Sequence, residues 1–392
     1  MMNIDLYERS YLMIYLDNAA TSLRKPQVVI DAVVEALQHS GNAGRGSTES
    51  SLAASRTIFN TRLLVSQLIN NPDPHQIIFT HNATDSLNTV IKGYFKPGDH
   101  VITTVMEHNS VLRPLYQLQD QGVELTFLPI NDQGVIDPQT IEPAIRSNTK
   151  GMVFTHASNV TGDLNPAKKI LEVLHQHQLV GFLDASQTLG AIPIDVQDLD
   201  VDVLCFTGHK SLLGPQGTGG IYIKPGIQIA PLKSGGTGVQ TFDHYQPKDL
   251  PSALEAGTLN SHGLAGLSAA VQYLLDYGVE KIMQEERDLL DYFHDQIKRL
   301  PEIQIYSHIK PGQIHCGILS LNIGQMDSAI VAEELVDRGK IMTRAGGHCA
   351  PLMHEALGTV EQGIVRFSLS HFTTRDEIDQ VVACLKALQA ES

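Results

Sequence analysis

The run Phe206-Thr207-Gly208-His209-Lys210 directly follows an apolar stretch at 203–206. A lysine at the carboxyl end of a strand, in partly apolar surroundings, can lose its proton and form a Schiff base. Taken singly it reads as a solvated loop lysine. Asp184 ends an earlier apolar stretch at 179–183. A carboxylate there can pair with a protonated pyridine nitrogen, which pyridoxal phosphate (PLP) needs in order to act as an electron sink. Alone, Asp184 reads as a helix or turn cap. His81-Asn82-Ala83-Thr84-Asp85 lies between an expected strand and an expected helix. The backbone N–H groups of Ala83 and Thr84 and the Thr84 hydroxyl can there face a phosphate at a helix N-terminus. The plainer reading is an ordinary N-cap. Thr207 and His209 flank the lysine and add donors. His108, one of 17 histidines, follows a strand expected at 100–104, where it can stack on a ring or move protons; by default it is a surface residue. The glycine-rich runs at 214–220 and 235–238 fit neither a Walker A loop nor the dinucleotide fingerprint.

Four cysteines are scattered along the chain, too few for a disulfide scaffold. Cys205 falls inside a strand and Cys384 on an apolar helix face, and these two with Cys316 read as structural thiols. Cys349 follows a basic residue in a Gly- and His-rich loop. Free thiols titrate near pH ~8.5, so reactivity at neutral pH needs cationic or donor neighbours. His348 and Arg344 are placed in sequence to supply them. A zinc site joining His315-Cys316 to His348-Cys349 lacks any C-x₂-C spacing, and no metal is expected.

These residues need a scaffold. Strands are expected at 76–80, 100–104, 123–128, 151–155, 179–183 and 203–206, with helices at 84–92, 110–119 and 165–178 between them. Such alternation predicts an α/β fold with a mostly parallel sheet, which binds ligands beyond the carboxyl ends of its strands. Loop is expected from 225 to 260, then helices at 263–277 and 279–300. The remainder reads as a smaller α+β unit: a strand near 317–322, a helix at 327–337 stopped by Gly339, a strand at 364–368 and a helix at 374–388. The 392 residues carry a net charge of −15, and no basic stripe exists to bind nucleic acid. No apolar run reaches the roughly 18 residues of a membrane span. The opening residues 1–5 lack the features of an export signal. A cytoplasmic protein is expected.

Three motifs together carry a resemblance: 14–21, Ile-Tyr-Leu-Asp-Asn-Ala-Ala-Thr; 207–210, Thr-Gly-His-Lys; and 344–351, Arg-Ala-Gly-Gly-His-Cys-Ala-Pro. In this order they resemble the class V aminotransferase superfamily, and more narrowly the cysteine desulfurases of the group that includes selenocysteine lyases. The resemblance implies a fold-type-I, PLP-dependent transferase with a seven-stranded sheet covered by helices on both faces. Its large domain would span 18–280, with 1–17 and 281–392 forming the small one. It implies that Lys210 carries PLP, Asp184 pairs with the ring nitrogen, Gln187 bonds the phenolic oxygen and His108 stacks on the ring. Ala83, Thr84, Thr207 and His209 would hold the phosphate, with Thr258 contributed by the second subunit of a homodimer. Asn159 and Arg366 would bind the substrate carboxylate, with Arg344 beside Cys349. Without the resemblance, Arg366 reads as a surface residue.

On this pattern the Cys349 thiolate attacks the sulfur of bound L-cysteine, leaving L-alanine and a persulfide for an acceptor protein in iron–sulfur cluster or other thio-cofactor synthesis. The rivals are a selenocysteine lyase, a class V aminotransferase or C–S lyase that does not use Cys349, and a non-catalytic sulfur-relay or metal-binding scaffold. The chain departs from the better-known members of the group at Gly347, where they carry histidine, and at Ala83, where they carry threonine. The segment 354–359, His-Glu-Ala-Leu-Gly-Thr, is also its own. These departures bear on substrate preference and sulfur acceptor.

Overall fold

The computed structural model describes residues 13–41 and 49–391. The opening residues 1–5 and the first part of the expected 1–17 segment lie outside them. The strands in chain order are β1 (Ile14–Tyr15), β2 (Ile77–Thr80), β3 (His100–Thr104), β4 (Glu124–Leu128), β5 (Thr149–Thr155), β6 (Val180–Asp184), β7 (Val203–Thr207) and β8 (Gly219–Ile223). They continue with β9 (Ile303–Ile305), β10 (Ile318–Ile323), β11 (Ile341–Met342), β12 (Arg344–Gly346) and β13 (Ile364–Ser368).

A seven-stranded sheet runs in the order β2-β8-β7-β6-β5-β3-β4. Its pairs are parallel except where β8 meets β2 and β7. Alternate residues along each strand enter different cores, because successive side chains point to opposite faces. Ile77, Phe79, Met152, Phe154, Leu204 and Phe206 join the core under the helices Ala167–Gln176 and Ser261–Tyr277. Ile78, Val153, Phe182, Val203, Cys205 and Ile221 join the one under Ala83–Tyr94 and Asn109–Gln119. Both faces are dry, which is why these strands read as continuous apolar runs. A second, four-stranded antiparallel sheet, β12-β13-β10-β9, packs Leu319, Leu321, Val365 and Phe367 against helices Val279–Ile297, Ser328–Gly339 and Arg375–Glu391. The parallel pair β1–β11 brings the chain's described start to this unit.

The expected strands and helices stand within a few residues of their predicted bounds, and 225–260 contains neither helix nor strand. Three differences have physical causes. β8 hides in a run read only as glycine-rich: a Cβ on Gly220 would lie 2.4 Å from Phe206 Cζ and 2.8 Å from the Ile78 carbonyl oxygen, so only glycine fits between its neighbours. The helices Gln27–His39 and Glu49–Leu68, both on segments left unassigned, keep large apolar residues such as Leu37 and Phe59 exposed, which blurs the one-face pattern. The left-handed stop after Ser328–Gly339 is taken by Lys340 at φ +52°, not by Gly339. Gly339 is required instead for space, since its Cβ would approach Cys384 Sγ to 2.9 Å. Among the described residues, no helix is long and apolar enough to cross a membrane.

Candidate active site

The carboxyl ends of β3, β5, β6 and β7 converge on a cavity of 330 Å³, closed on its far side by residues from β12, β13 and the loop after β12. Lys210, Asp184, Gln187, Ala83, Thr84, Thr207, His209, His108, Asn159, Arg344, Arg366 and Cys349 all line it. Thr258, expected from a second subunit, lies outside it in the same chain, beside His81, Asp85 and Lys233.

Lys210 follows β7 by three residues. Burial, opposed by Asp184 and reinforced by Arg366 and Arg344, pulls it from 10.5 to about 8. Asp184 ends β6, and burial raises its carboxyl above the usual range. Its Oδ1 accepts from Ser186 N at 2.9 Å and from Ser186 Oγ. The remaining oxygen has no hydrogen-bond partner among the described residues. A buried carboxylate with one free oxygen, facing a partly neutral amine, suits a cationic ring nitrogen.

A candidate anion cradle is built from two elements. Asn82 caps the helix Ala83–Tyr94 by accepting from Asp85 N at 2.9 Å. The N–H groups of Ala83 and Thr84 remain in the unpaired first turn, where anions are favoured. Opposite them the buried Thr207 Oγ1 has no partner among the described residues, an orphan of the kind a phosphate oxygen satisfies. Burial holds His209 near 4, with Nδ1 3.0 Å from Thr21 Oγ1. The donor set therefore fits PLP: a lysine near neutrality, a free buried carboxylate oxygen, and an anion cradle with an unsatisfied hydroxyl.

His108 caps the helix Asn109–Gln119. Its Nδ1 accepts from Ser110 N at 3.0 Å, and burial with nearby Lys210 pushes it to about 4. A neutral imidazole accepting at Nδ1 carries its proton on Nε2.

The far side of the cavity combines two arginines. Arg344 and Arg366 face each other across the β12–β13 pair. Arg366, nearly fully buried, donates from Nη1 to the Asn159 carbonyl at 2.7 Å and from Nη2 to Asp17 Oδ1 at 2.9 Å, while its Nε has no partner among the described residues. It is thus no surface residue. Its unused Nε–H and second Nη hydrogens form an edge that matches a carboxylate. Asp17 also reaches Arg344 Nη1, at 3.8 Å.

Cys349 is the exposed one of the four free cysteines, while Cys205 and Cys316 are buried and Cys384 is half-buried. Its carbonyl accepts from Asn109 N at 2.7 Å, tying its loop to the His108 helix. Of the cationic or donor roles expected of His348, the cationic one is not met. Burial and the nearby Arg366 push His348 down to about 3, so it is neutral and Arg344 is the cation of this loop. Nor do His315 and Cys316 meet this loop: His315 Nε2 lies 3.2 Å from Asp163, and Cys316 Sγ contacts the Gln187 carbonyl at 3.6 Å. Among the described residues no group of three or more His, Cys, Asp or Glu side chains is placed to hold a metal.

Asp17 and Glu107, which stand behind the cavity lining, carried no expected role. Asp17 stood in a quoted motif, but nothing local says that residue 17 reaches residue 366. Glu107 is fully buried and raised to about 8 by burial, with Oε1 bound by Thr104 Oγ1 and Thr155 N and Oε2 unpaired among the described residues. The acid beside His108 was visible in sequence, but its burial was not.

The profile of the family described as Aminotransferase class-V matches residues 14–381. A probable cysteine desulfurase of Methanothermobacter thermautotrophicus is 34% identical over 93% of this chain and 92% of its own length. The cysteine desulfurase of Pectobacterium atrosepticum is also 34% identical, over 95% and 92%. Among solved structures, the apo cysteine desulfurase of Thermococcus onnurineus superposes with a TM-score of 0.91 at 30% identity, covering 98% of this chain and 96% of that one. The S-sulfonic acid form of the cysteine desulfurase CsdA from Escherichia coli gives 0.87 at 29% identity, covering 100% and 99%.

Proposed function

The chain belongs to the class-V aminotransferases, and within them to the cysteine desulfurases; from that premise we propose that it converts L-cysteine to L-alanine and carries the sulfur as a Cys349 persulfide. The observation that carries this reading is the convergence of Lys210, Asp184 and Arg366 with an exposed Cys349 on one cavity. The family's cofactor is PLP, and the residues described above fit it. When bound, PLP supplies the electron sink for bonds broken at the substrate's Cα and Cβ.

Each side chain then has a task. Lys210 would hold the cofactor, and its amine, brought to about 8 by burial, would take the proton from the substrate Cα. Asp184 keeps the ring nitrogen protonated, and Gln187 bonds the phenolic oxygen. Thr84, Thr207, His209 and the helix N-terminus at Ala83 hold the phosphate, with Thr258 reaching the site from the second subunit of a homodimer. Arg366 Nε and the Asn159 amide receive the substrate carboxylate. His108, lining the cavity with Nδ1 bound by Ser110 N, would face the cofactor ring and move protons through Nε2. The Cys349 thiolate attacks the substrate sulfur: the S–S bond forms, the Cβ–S bond breaks, and Cβ ends as the methyl group of alanine.

Exposure of Cys349 suits delivery of the persulfide to an acceptor protein, and the need to keep this thiol reduced supports a reducing compartment, the cytoplasm. A core of its own, built from Ile14, Leu16 and residues between 289 and 388, supports a small domain of 1–17 and 281–392 beside a large one over 18–280. The test compares alanine and sulfide production from cysteine, with a reductant, in wild type and Cys349→Ala. Wild type should make both in equal amounts and the variant neither. Undiminished cysteine turnover in the variant would reveal a lyase or aminotransferase that bypasses the thiol.

A further inference from the structure

Behind the Cys349 loop lies the segment 354–359, which has no part in the mechanism above. His348 and Cys349 both hold left-handed backbone angles, φ +48° and +56°. Side chains other than glycine keep such angles only where the surroundings over-determine them. Backbone ties account for part of this: Asn159 Nδ2 donates to the His348 carbonyl at 2.8 Å, and Asn109 N to the Cys349 carbonyl at 2.7 Å. The rest comes from the His348 ring. It is buried and lies parallel to the equally buried His354, with centroids 5.7 Å apart and an interplanar angle of 6°.

The hydrogen positions along this stack follow from one fixed end. The Arg344 carbonyl, 3.2 Å from His348 Nε2, only accepts, so Nε2 carries the proton. A neutral His348 then has a bare Nδ1, which faces His354 Nε2 at 3.5 Å. Two bare nitrogens there would repel, so His354 Nε2 carries its proton. His354 Nδ1 is bare in turn and accepts from Thr359 Oγ1 at 2.9 Å. The result is a one-directional relay, Thr359 to His354 to His348 to the Arg344 carbonyl, anchoring both ends of the turn that bears the cysteine.

We propose that His354, oriented by Thr359, is a positioning residue for Cys349: its Nε2–H holds the His348 ring and thereby the left-handed turn that presents the thiol to the cavity. The inference rests on the reading of Cys349 as the sulfur carrier. His354→Phe keeps the ring and removes the donor, His354→Gln restores an N–H near Nε2, and Thr359→Val removes the hydroxyl that holds Nδ1.

The first readout needs neither cofactor nor turnover. The Asn109 amide is bound to the Cys349 carbonyl, so its hydrogen exchange in apo-enzyme reports the turn. Exchange should be about tenfold faster in His354→Phe, intermediate in Thr359→Val and near wild type in His354→Gln. In the loaded enzyme, kcat for sulfide release should fall about five- to tenfold in His354→Phe, as expected for one lost buried hydrogen bond. KM and the PLP absorbance should stay unchanged. Wild-type exchange and kcat in His354→Phe, or a Gln variant as impaired as the Phe one, would overturn the proposal. If His354→Phe does not fold, Thr359→Val decides by the same two measurements. If wild type itself makes no Cys349-dependent sulfide, the functional reading fails while the exchange comparison still decides the positioning role.

Discussion

Capture of PLP by the apo-enzyme should follow the titration of Lys210. Burial brings this amine to about 8, so at pH 7 about one molecule in ten holds it free, against about one in three thousand for a lysine left at 10.5. The gain in nucleophile is therefore about 300-fold at neutral pH. Below the midpoint the amine is protonated and the capture rate should fall about tenfold per pH unit; above it the rate should level off. Asp184 opposes the shift and Arg366 reinforces it. Asp184→Asn should therefore move the midpoint down, and Arg366→Gln should move it up. The assay mixes apo-enzyme with PLP between pH 5.5 and 10 in a stopped-flow instrument and follows the band near roughly 410–430 nm. A midpoint near 10, or an upward move in Asp184→Asn, would refute the argument that the cavity's low dielectric sets this lysine.

Thr207→Val should leave the apo-enzyme as stable as wild type or more so by up to ~1 kcal/mol, because it deletes a buried hydroxyl without a partner; equilibrium dialysis should show PLP affinity falling about five- to tenfold. Arg366→Lys cannot span both the Asn159 carbonyl and Asp17. It should raise KM for cysteine about tenfold or more with a smaller effect on kcat, measured by steady-state alanine formation. Gly208→Ala would place a Cβ 2.1 Å from Thr218 Oγ1. The strand end carrying Lys210 must then shift, and thermal unfolding should show a loss of about 1–3 kcal/mol together with weakened PLP capture.

Strand–helix alternation and the apolar runs ending at Asp184 and Thr207 made the parallel sheet and its ligand-binding edge legible from sequence, because local periodicity records which faces are covered. That Lys210, Asp184 and Cys349 would meet at one cavity was legible for a related reason: each follows a strand or stands in a loop whose composition already departs from the ordinary. β8 was not, since its glycines answer to the Phe206 ring and the Ile78 carbonyl rather than to their own neighbours in sequence. Arg366 was legible only through resemblance to a family, since its burial between Asp17 and Asn159 joins residues far apart in the chain.

The charge states were decided by tertiary structure alone. Sequence placed His348 beside Cys349 as a candidate cation or donor, and the fold made it neutral by burying it near Arg366. Residue type and order determined which groups could do chemistry here. Burial and distant neighbours determined which are charged, because the cost of charge depends on the dielectric and partners around an atom, which only the folded chain supplies.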